Sequence, residues 1–458
     1  MDITESMDTF LKPESVAIVG ATRRTGRGSF NVVENLLEIG FKGRIYPVNP
    51  NMESILGLKV YPSVTTLPLE VDLAVVMVPR EVVPHVVKDG TERGIKAFIV
   101  ITDGFAEADE QGKALQAEIV EIARAKRARI IGPNSLGVIN CFHNFSSSWM
   151  VPKLRQNPVA LVCQSGGFLE GFSDFALGKG IDLGNMCDVD FAEVLSYLEK
   201  DPETRIIALH IEGLREGRRF LEVAKRVQQE KPVLVLKTGR SEAATRAAAS
   251  HTGSLSGRQE VHRAAFRQAG LIEVNTVDEL GDIAKAFLHL PPLYGNRVAI
   301  LTPSGAGATM TLDALEHYGF ELATLLERTV NANREFFPPW SPPLNPIDMM
   351  TAGVRHGYKM VYTASLDALL EDENVDAIVC IAGFPTLKTI KAAIAKSNKP
   401  VVTWVLGEWG EGLRSRINET GYQVVYPSPE RALRALAALR DYSAKRAQSS
   451  EQSLSTMM

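Results

Sequence analysis

Short, unbroken apolar runs separated by longer stretches of mixed polarity fill most of the chain. Three of them open in the same way. SVAIVGATRRTGRGSF from Ser15, PVALVCQSGGFLEGF from Pro158 and RVAILTPSGAGATMT from Arg297 each pass from an apolar strand through a Gly/Ser-rich turn into helix-compatible sequence. Their valines, Val16, Val159 and Val298, recur at nearly equal intervals, so one βα unit is used three times. Further runs of the same kind are LAVVMV from Leu73, AFIVIT from Ala97, ARIIG from Ala128, IIALHI from Ile206, PVLVLK from Pro232, AIVCIA from Ala377 and PVVTWV from Pro400. A strand that is apolar along its whole length is buried on both faces, as in a parallel sheet covered by helices. The pattern predicts an α/β fold of three Rossmann-like or flavodoxin-like parallel-sheet domains, 1–145, 146–292 and 293–442, with joints after Asn140 and within LPPLYGNR from Leu290. The Pro-rich FFPPWSPPLNP from Phe336 reads as a loop inside the third domain, and the polar stretch 443–458 as a mobile tail.

Bulk properties narrow the function classes. The 458 residues are 45% hydrophobic and 23% charged, long enough for about three domains. A net charge of -4 provides no basic field for nucleic acid or an anionic membrane, so small molecules or another protein are the expected partners. Cys141, Cys163, Cys187 and Cys380 lie far apart, with no C-x-x-C pair, which argues against a zinc site and against a disulfide framework. The N-terminal MDITESMDTF is acidic where a signal peptide would be basic, and no apolar run reaches the length of a bilayer span. A cytoplasmic protein is expected.

The three Gly-rich turns are the first candidate chemistry. A parallel strand that delivers its chain into a helix leaves backbone N–H groups pointing outward, an arrangement suited to phosphate. The first turn adds Arg23, Arg24 and Arg27, which favour a polyanionic ligand. Its spacing is not G-x-G-x-x-G, and the next strand ends at Asn49-Pro50 without the carboxylate that holds a ribose hydroxyl, so coenzyme A is a better candidate than NAD. The second turn, Gln164-Ser165-Gly166-Gly167, offers bare N–H groups to a single phosphoryl group. The third, Ser304-Gly305-Ala306-Gly307, repeats the shape and is read as architecture. The G-x-x-x-x-G-K-[ST], H-E-x-x-H and G-x-S-x-G motifs are absent.

ASHTGSLSG, from Ala249, places His251 among small polar residues between two helical stretches. Small neighbours let a large group approach, and neutral imidazole is a nucleophile or general base near pH 7. Glu212, at the C-terminal end of the run LHIEG, can orient one imidazole nitrogen; His210, two residues earlier on the same strand face, is a weaker candidate.

Taken together, ESVAIVGAT, GFKGRIYPVNPN, ILGLKVYPSV, VDLAVVMVP, RIIGPNSLGVIN, QSGG, DPETRIIALHIEG and AAASHTGSLSG resemble the hallmarks of the ADP-forming acyl-CoA synthetases, relatives of succinyl-CoA synthetase, in their usual order. The resemblance is to the α subunit. It implies a CoA-binding domain, two succinyl-CoA-synthetase-like domains, and a separate ATP-grasp β subunit that holds ATP or ADP with Mg2+ in an α2β2 heterotetramer. It also implies a small carboxylic acid substrate and an acyl phosphate whose phosphoryl group passes to His251, with Glu212 orienting the phosphohistidine and Gln164, Ser165, Gly166 and Gly167 holding phosphate. For CoA it points to Gly20, Ala21, Thr22 and Arg23, to Lys42 and Asn49, to Val78 and Pro79, and to Thr102, Asp103, Gly104 and Asn134. No metal ligands are implied within this chain.

The sequence departs from the family pattern in places. Ser135 stands where relatives usually have Cys, Met186 where they tend to have lysine, and Phe168 where they have a small residue. Only Ile181 and Asp182 separate Gly180 from Leu183, so a strand near the active site is expected to be shortened, and FHNFSSSWMV from Phe142 brings aromatic residues to a region that could line the acyl pocket. A non-catalytic CoA-binding regulatory protein on the same scaffold is the alternative reading; the intact SHTGSLSG and Glu212 weigh against it. An NAD-dependent dehydrogenase is disfavoured by the missing fingerprint.

Overall fold

The computed structural model describes residues 3–26, 29–149, 155–170, 177–241, 243–244, 259–383, 386–395, 398–406, 417 and 420–457. They form two compact units, Met1–Val277 and Asp278–Met458.

The first unit holds two large sheets. In one, β1 (Ser15–Val19), β2 (Arg44–Val48), β5 (Leu73–Val76), β6 (Ala97–Val100) and β7 (Arg129–Ile131) lie in the order β2-β1-β5-β6-β7, all parallel. A small antiparallel hairpin, β3 (Ser54–Ile55) and β4 (Leu58–Lys59), follows β2. The reason for the unbroken apolar runs is visible in β1 and β5. Val16, Ile18, Leu73 and Val75 enter one core, and Ala17, Val19, Ala74 and Val76 the other, on the opposite face of the sheet. Successive side chains alternate between two apolar surroundings instead of between core and water.

The second sheet comprises β8 (Val138–Asn140), β9 (Phe145–Ser146), β10 (Val159–Cys163), β11 (Lys179–Asp182), β12 (Ile206–Ile211), β13 (Val233–Lys237) and β14 (Ile272–Val274), in the order β14-β13-β12-β10-β11-β8-β9. Its β10 to β14 are mutually parallel, but β8 runs antiparallel to β11 and to β9. Residues 138–146, mostly on the first-domain side of the expected joint at 145, therefore belong to the second sheet. Strands of three and two residues leave no run to read. They are held by side-chain bonds, Asn140 Nδ2 donating to Leu11 O at 3.0 Å and the Val138 N–H donating to Ser147 Oγ at 2.8 Å. The segment expected to be a shortened strand is β11, paired on both sides. Its ends, Lys179 and Asp182, are buried polar residues, so it lacks an apolar signature.

In the second unit, β15 (Arg297–Thr302) pairs with β16 (Glu321–Leu322), β17 (Ile347–Asp348) and β18 (Ala377–Ala382); β19 (Val401–Val405) and β20 (Val425–Tyr426) extend the parallel sheet. The polar stretch expected to be a mobile tail continues the helix Pro429–Met457. Neither Pro nor Gly interrupts it after Pro429, and Ser449 Oγ bonds back to Lys445 O at 3.1 Å. Among the described residues no helix is long and apolar enough to cross a membrane.

Candidate functional site

In the first sheet the chain order reverses at β1, between β2 and β5; in the second it reverses at β10, between β11 and β12. Open α/β sheets bind ligands beyond their strand C-termini at such points. A cavity of about 810 Å3 lies there, bounded by the turns after β1, β5, β6 and β7 and by the ends of β10 and β11.

The turn after β1 is fixed by its own backbone and by two asparagines. Gly20 has φ +93, and a Cβ there would lie 2.2 Å from Met77 O, so only glycine lets β1 and β5 release their chains side by side. Asn49, just beyond β2, donates its Nδ2 to Ala21 O at 2.9 Å. Asn31 caps the helix Val32–Glu38, its Oδ1 accepting from Val33 and Glu34 N–H while its Nδ2 donates to Thr22 and Arg24 carbonyls. Two of the helix's first N–H groups are thus already taken. Anion contacts must come from the turn itself and its side chains: Gly20, Thr22 and Arg24 line the cavity, with Ser29 beside them.

Across the cavity, Val78 and Pro79 follow β5, Thr102 and Asp103 follow β6, and Asn134 follows β7. These turns are tied to each other. Thr102 Oγ1 donates to Val78 O at 2.8 Å, and Asn134, at φ +57, donates its N–H to Thr102 O at 2.9 Å. Met77, Ile101 and Leu136 add an apolar wall. The lining is therefore mixed, cationic and hydroxylic near the first turn, with Met77, Val78, Ile101 and Leu136 interleaved with polar groups beyond it, which suits a phosphorylated ligand with an uncharged arm.

From the second sheet come Gln164, Ser165 and Gly166, and Asp182. Gln164 is 4% exposed, and its Oε1 accepts the N–H groups of Glu212 at 2.7 Å and Gly213 at 3.0 Å. Lys237 Nζ donates to Glu212 O at 2.9 Å, so the Glu212 backbone is held at both its N–H and its C=O. Burial lowers the Lys237 ammonium, with the Glu212 carboxylate opposing that shift. His210 is buried, its Nε2 3.0 Å from Thr238 Oγ1 and its ring stacked on Phe168 at 4.1 Å; burial pushes its pKa down to about 4. It is a neutral core group.

Several expected residues stand elsewhere. Ala21 is buried under the first turn, and Asn49 acts by holding it. Arg23 is exposed and bonded to Asn51 O, and among the described residues Arg24 is the arginine that lines the cavity. Lys42 sits on the exposed loop before β2, at the opposite end of that strand from Asn49. Gly104 accepts a bond from Arg80 at its carbonyl and donates its N–H to Glu107 at 2.7 Å; Gly167 is exposed. His251, the neighbouring residues 245–258 and Arg27 lie outside the described residues. Phe30 and Asp182, which no motif in the sequence marks, also line the cavity. Phe30, at φ +54 and 61% exposed, meets Trp149 edge to face at 5.5 Å, both on the cavity. Trp149 belongs to the aromatic segment singled out by sequence, whereas Phe142 from the same segment covers Lys179 at 4.9 Å. Ser135 donates its Oγ to Asp182 O at 2.5 Å, and Met186 is core.

Comparison with known proteins agrees with this geometry. Residues 14–140 match the CoA binding domain family and residues 156–287 the succinyl-CoA ligase like flavodoxin domain family. The chain is 39% identical to the α subunit of ADP-forming acetate–CoA ligase II of Pyrococcus furiosus, over 94% of this chain and 97% of that one. It is 38% identical to ADP-forming acetate–CoA ligase II of Archaeoglobus fulgidus, over 86% of this chain but 60% of that one. The structure of the dinucleotide forming acetyl-coenzyme A synthetase 1 of Ca. Korarchaeum cryptofilum, in complex with phosphate and ADP, superposes with a TM-score of 0.87 at 31% identity, covering 97% of this chain and 98% of the other. The matched CoA-binding and succinyl-CoA ligase like domains, with the P. furiosus α subunit and the K. cryptofilum structure matched over nearly their full length, place the chain in the ADP-forming acyl-CoA synthetase family, as an α-type chain and an acid–thiol ligase.

Proposed function

We propose that this chain is the α subunit of a synthetase that reversibly converts an acyl-CoA, ADP and phosphate into a carboxylic acid, CoA and ATP. Phosphate attacks the thioester carbonyl, giving an acyl phosphate and free CoA; His251 then displaces the acid from phosphorus, and the phosphoryl group passes from His251 to ADP. The observation that carries this reading is the meeting of the CoA-type cavity with the Gln164–Gly166 turn, whose first residue fixes the backbone of Glu212.

Arg24, Thr22 and Ser29 are suited to the phosphates of CoA, and Met77, Val78 and Ile101 to its uncharged arm. The amides at Ser165 and Gly166 stabilise charge on phosphate with little reorganisation, the usual means of phosphoryl transfer. Glu212 orients the His251 ring, so that one nitrogen keeps its proton and the other attacks. The nucleotide, with Mg2+, is held by an ATP-grasp β subunit in an α2β2 assembly in the cytoplasm. The fraction of the A. fulgidus relative that this chain leaves unmatched is in keeping with such a partner. Division of the chain into three domains goes with this reading, the first ending before β8 rather than at 145, and the acid lies near Phe30 and Trp149.

The test is phosphate transfer. The chain, a cognate β subunit, magnesium and labelled ATP should give an acid-labile, base-stable label that maps to His251 and is absent from His251→Ala. With a β subunit shown to be competent with another α subunit, an unlabelled chain would instead make it a CoA-binding protein without catalysis.

A further inference from the structure

Asp182 closes β11, lines the cavity and takes part in none of the steps above. Its residue is 1% exposed. Its register partner in β10 is Cys163, the residue that leads directly into Gln164. Asp182 Oδ2 accepts the Leu136 N–H at 2.6 Å and Oδ1 the Gly184 N–H at 3.1 Å. Leu136 in turn packs on Gly166 so closely that a Cβ there would fall 2.1 Å from Leu136 Cγ. One residue therefore separates this carboxyl from the turn assigned to phosphate.

The surroundings oppose ionisation. Burial, with a smaller contribution from the Glu212 carboxylate just beyond β12, raises the carboxyl to about 7 against the pull of its two N–H partners. On β10 it faces Cys163, whose thiol burial holds neutral. On the other side β8 contributes Val138, Ile139 and Asn140, none of them titratable. An anion arriving at the turn adds one more negative charge, and two like charges in a buried site cannot both persist. A neutral carboxyl, by contrast, is a hydrogen-bond donor.

Resting on the reading that phosphate occupies the Gln164–Gly166 turn, we propose that Asp182 is a proton-dependent gate for that anion. Neutral, it admits the anion and offers it an O–H; ionised, it repels it. Anion binding then takes up a proton, and affinity falls as pH rises past the neutral range, with a limiting slope of about tenfold per pH unit.

Calorimetry on the full chain tests this with sulfate, which stays dianionic throughout and so does not titrate as phosphate does. Wild type should lose sulfate affinity above neutral pH, while D182N and D182S keep binding and lose that slope. A slope retained in both variants, as titration of His251 would give, overturns the gate and leaves the phosphate turn standing. Wild type that binds no sulfate even in mild acid overturns the phosphate turn, and the gate with it. If neither variant folds, wild type alone decides: sulfate binding at mildly alkaline pH, compared in buffers of different ionisation enthalpy, must take up protons, and the absence of uptake overturns the gate.

Discussion

Gln164 and Glu212 are joined through a single atom: the Gln164 carboxamide oxygen accepts the Glu212 N–H at 2.7 Å while also accepting that of Gly213 at 3.0 Å. The end of β12 is therefore positioned from the turn after β10. Gln164→Ala leaves both N–H groups without that acceptor, at a cost of about 1–3 kcal/mol for each that stays buried. Because the change also frees Glu212 to shift, kcat should fall by about 100-fold. The KM for CoA should change little, since the first-sheet turns are untouched. Steady-state kinetics of the assembled enzyme separates the two.

Gly20→Ala should destabilise the chain and abolish tight CoA binding. The position has φ +93, and the new Cβ would meet Met77 O at 2.2 Å. Left-handed strain alone costs about 1–3 kcal/mol, and the backbone contact can be relieved only by separating the turns after β1 and β5. A lowered Tm together with a raised Kd for CoA, by scanning and titration calorimetry, is the expected pair of results.

Asp182 also makes stability depend on pH. Its carboxyl titrates near 7 in the folded chain against an ordinary 3.8. Between those values the folded chain holds a proton that the unfolded chain has lost. The contribution is full below the unfolded value and declines as pH rises towards 7, by an amount on the order of a few kcal/mol. Denaturant titrations should therefore show wild type losing more stability between mildly acidic and mildly alkaline pH than D182S does.

The four cysteines should be inert to alkylation in the native chain. Cys141, Cys163, Cys187 and Cys380 are all buried and free. Burial raises each thiol, that of Cys380 to about 12. Thiolate is the reactive form, so mass spectrometry after iodoacetamide treatment should find these residues unmodified until denaturant is added, with activity retained.

How much was legible depended on the length and uniformity of each signal. In β1, β5, β6, β10, β12, β13, β15, β18 and β19 the near-continuous apolar runs named the strands and their parallel character, because burial on both faces leaves few polar positions. The turns after β1 and β10 were legible too, since Gly20 is required by the close approach of Met77 O and Gln164 by the two amides it accepts. The hairpin β8–β9 was not, because a three-residue strand carries no period, and β11 was obscured by its buried ends. Lys179 is hidden by ion pairs to Asp201 and Glu203 at 2.6 Å, a long-range arrangement that local sequence does not announce.

The sequence by itself determined that this is an α/β chain with Gly-rich turns at strand ends and a candidate nucleophile in a loop of small residues, because these are local patterns of polarity and backbone freedom. Tertiary structure decided which residues share a cavity. It put Arg24 on the cavity and bonded Arg23 to Asn51, gave Asn49 a supporting place under the turn, paired Phe30 with Trp149 and buried the Asp182 carboxyl beside the Gln164 turn. Each of those outcomes depends on strands far apart in the chain ending side by side, and a carboxyl's charge is set by the neighbours that the fold brings to it.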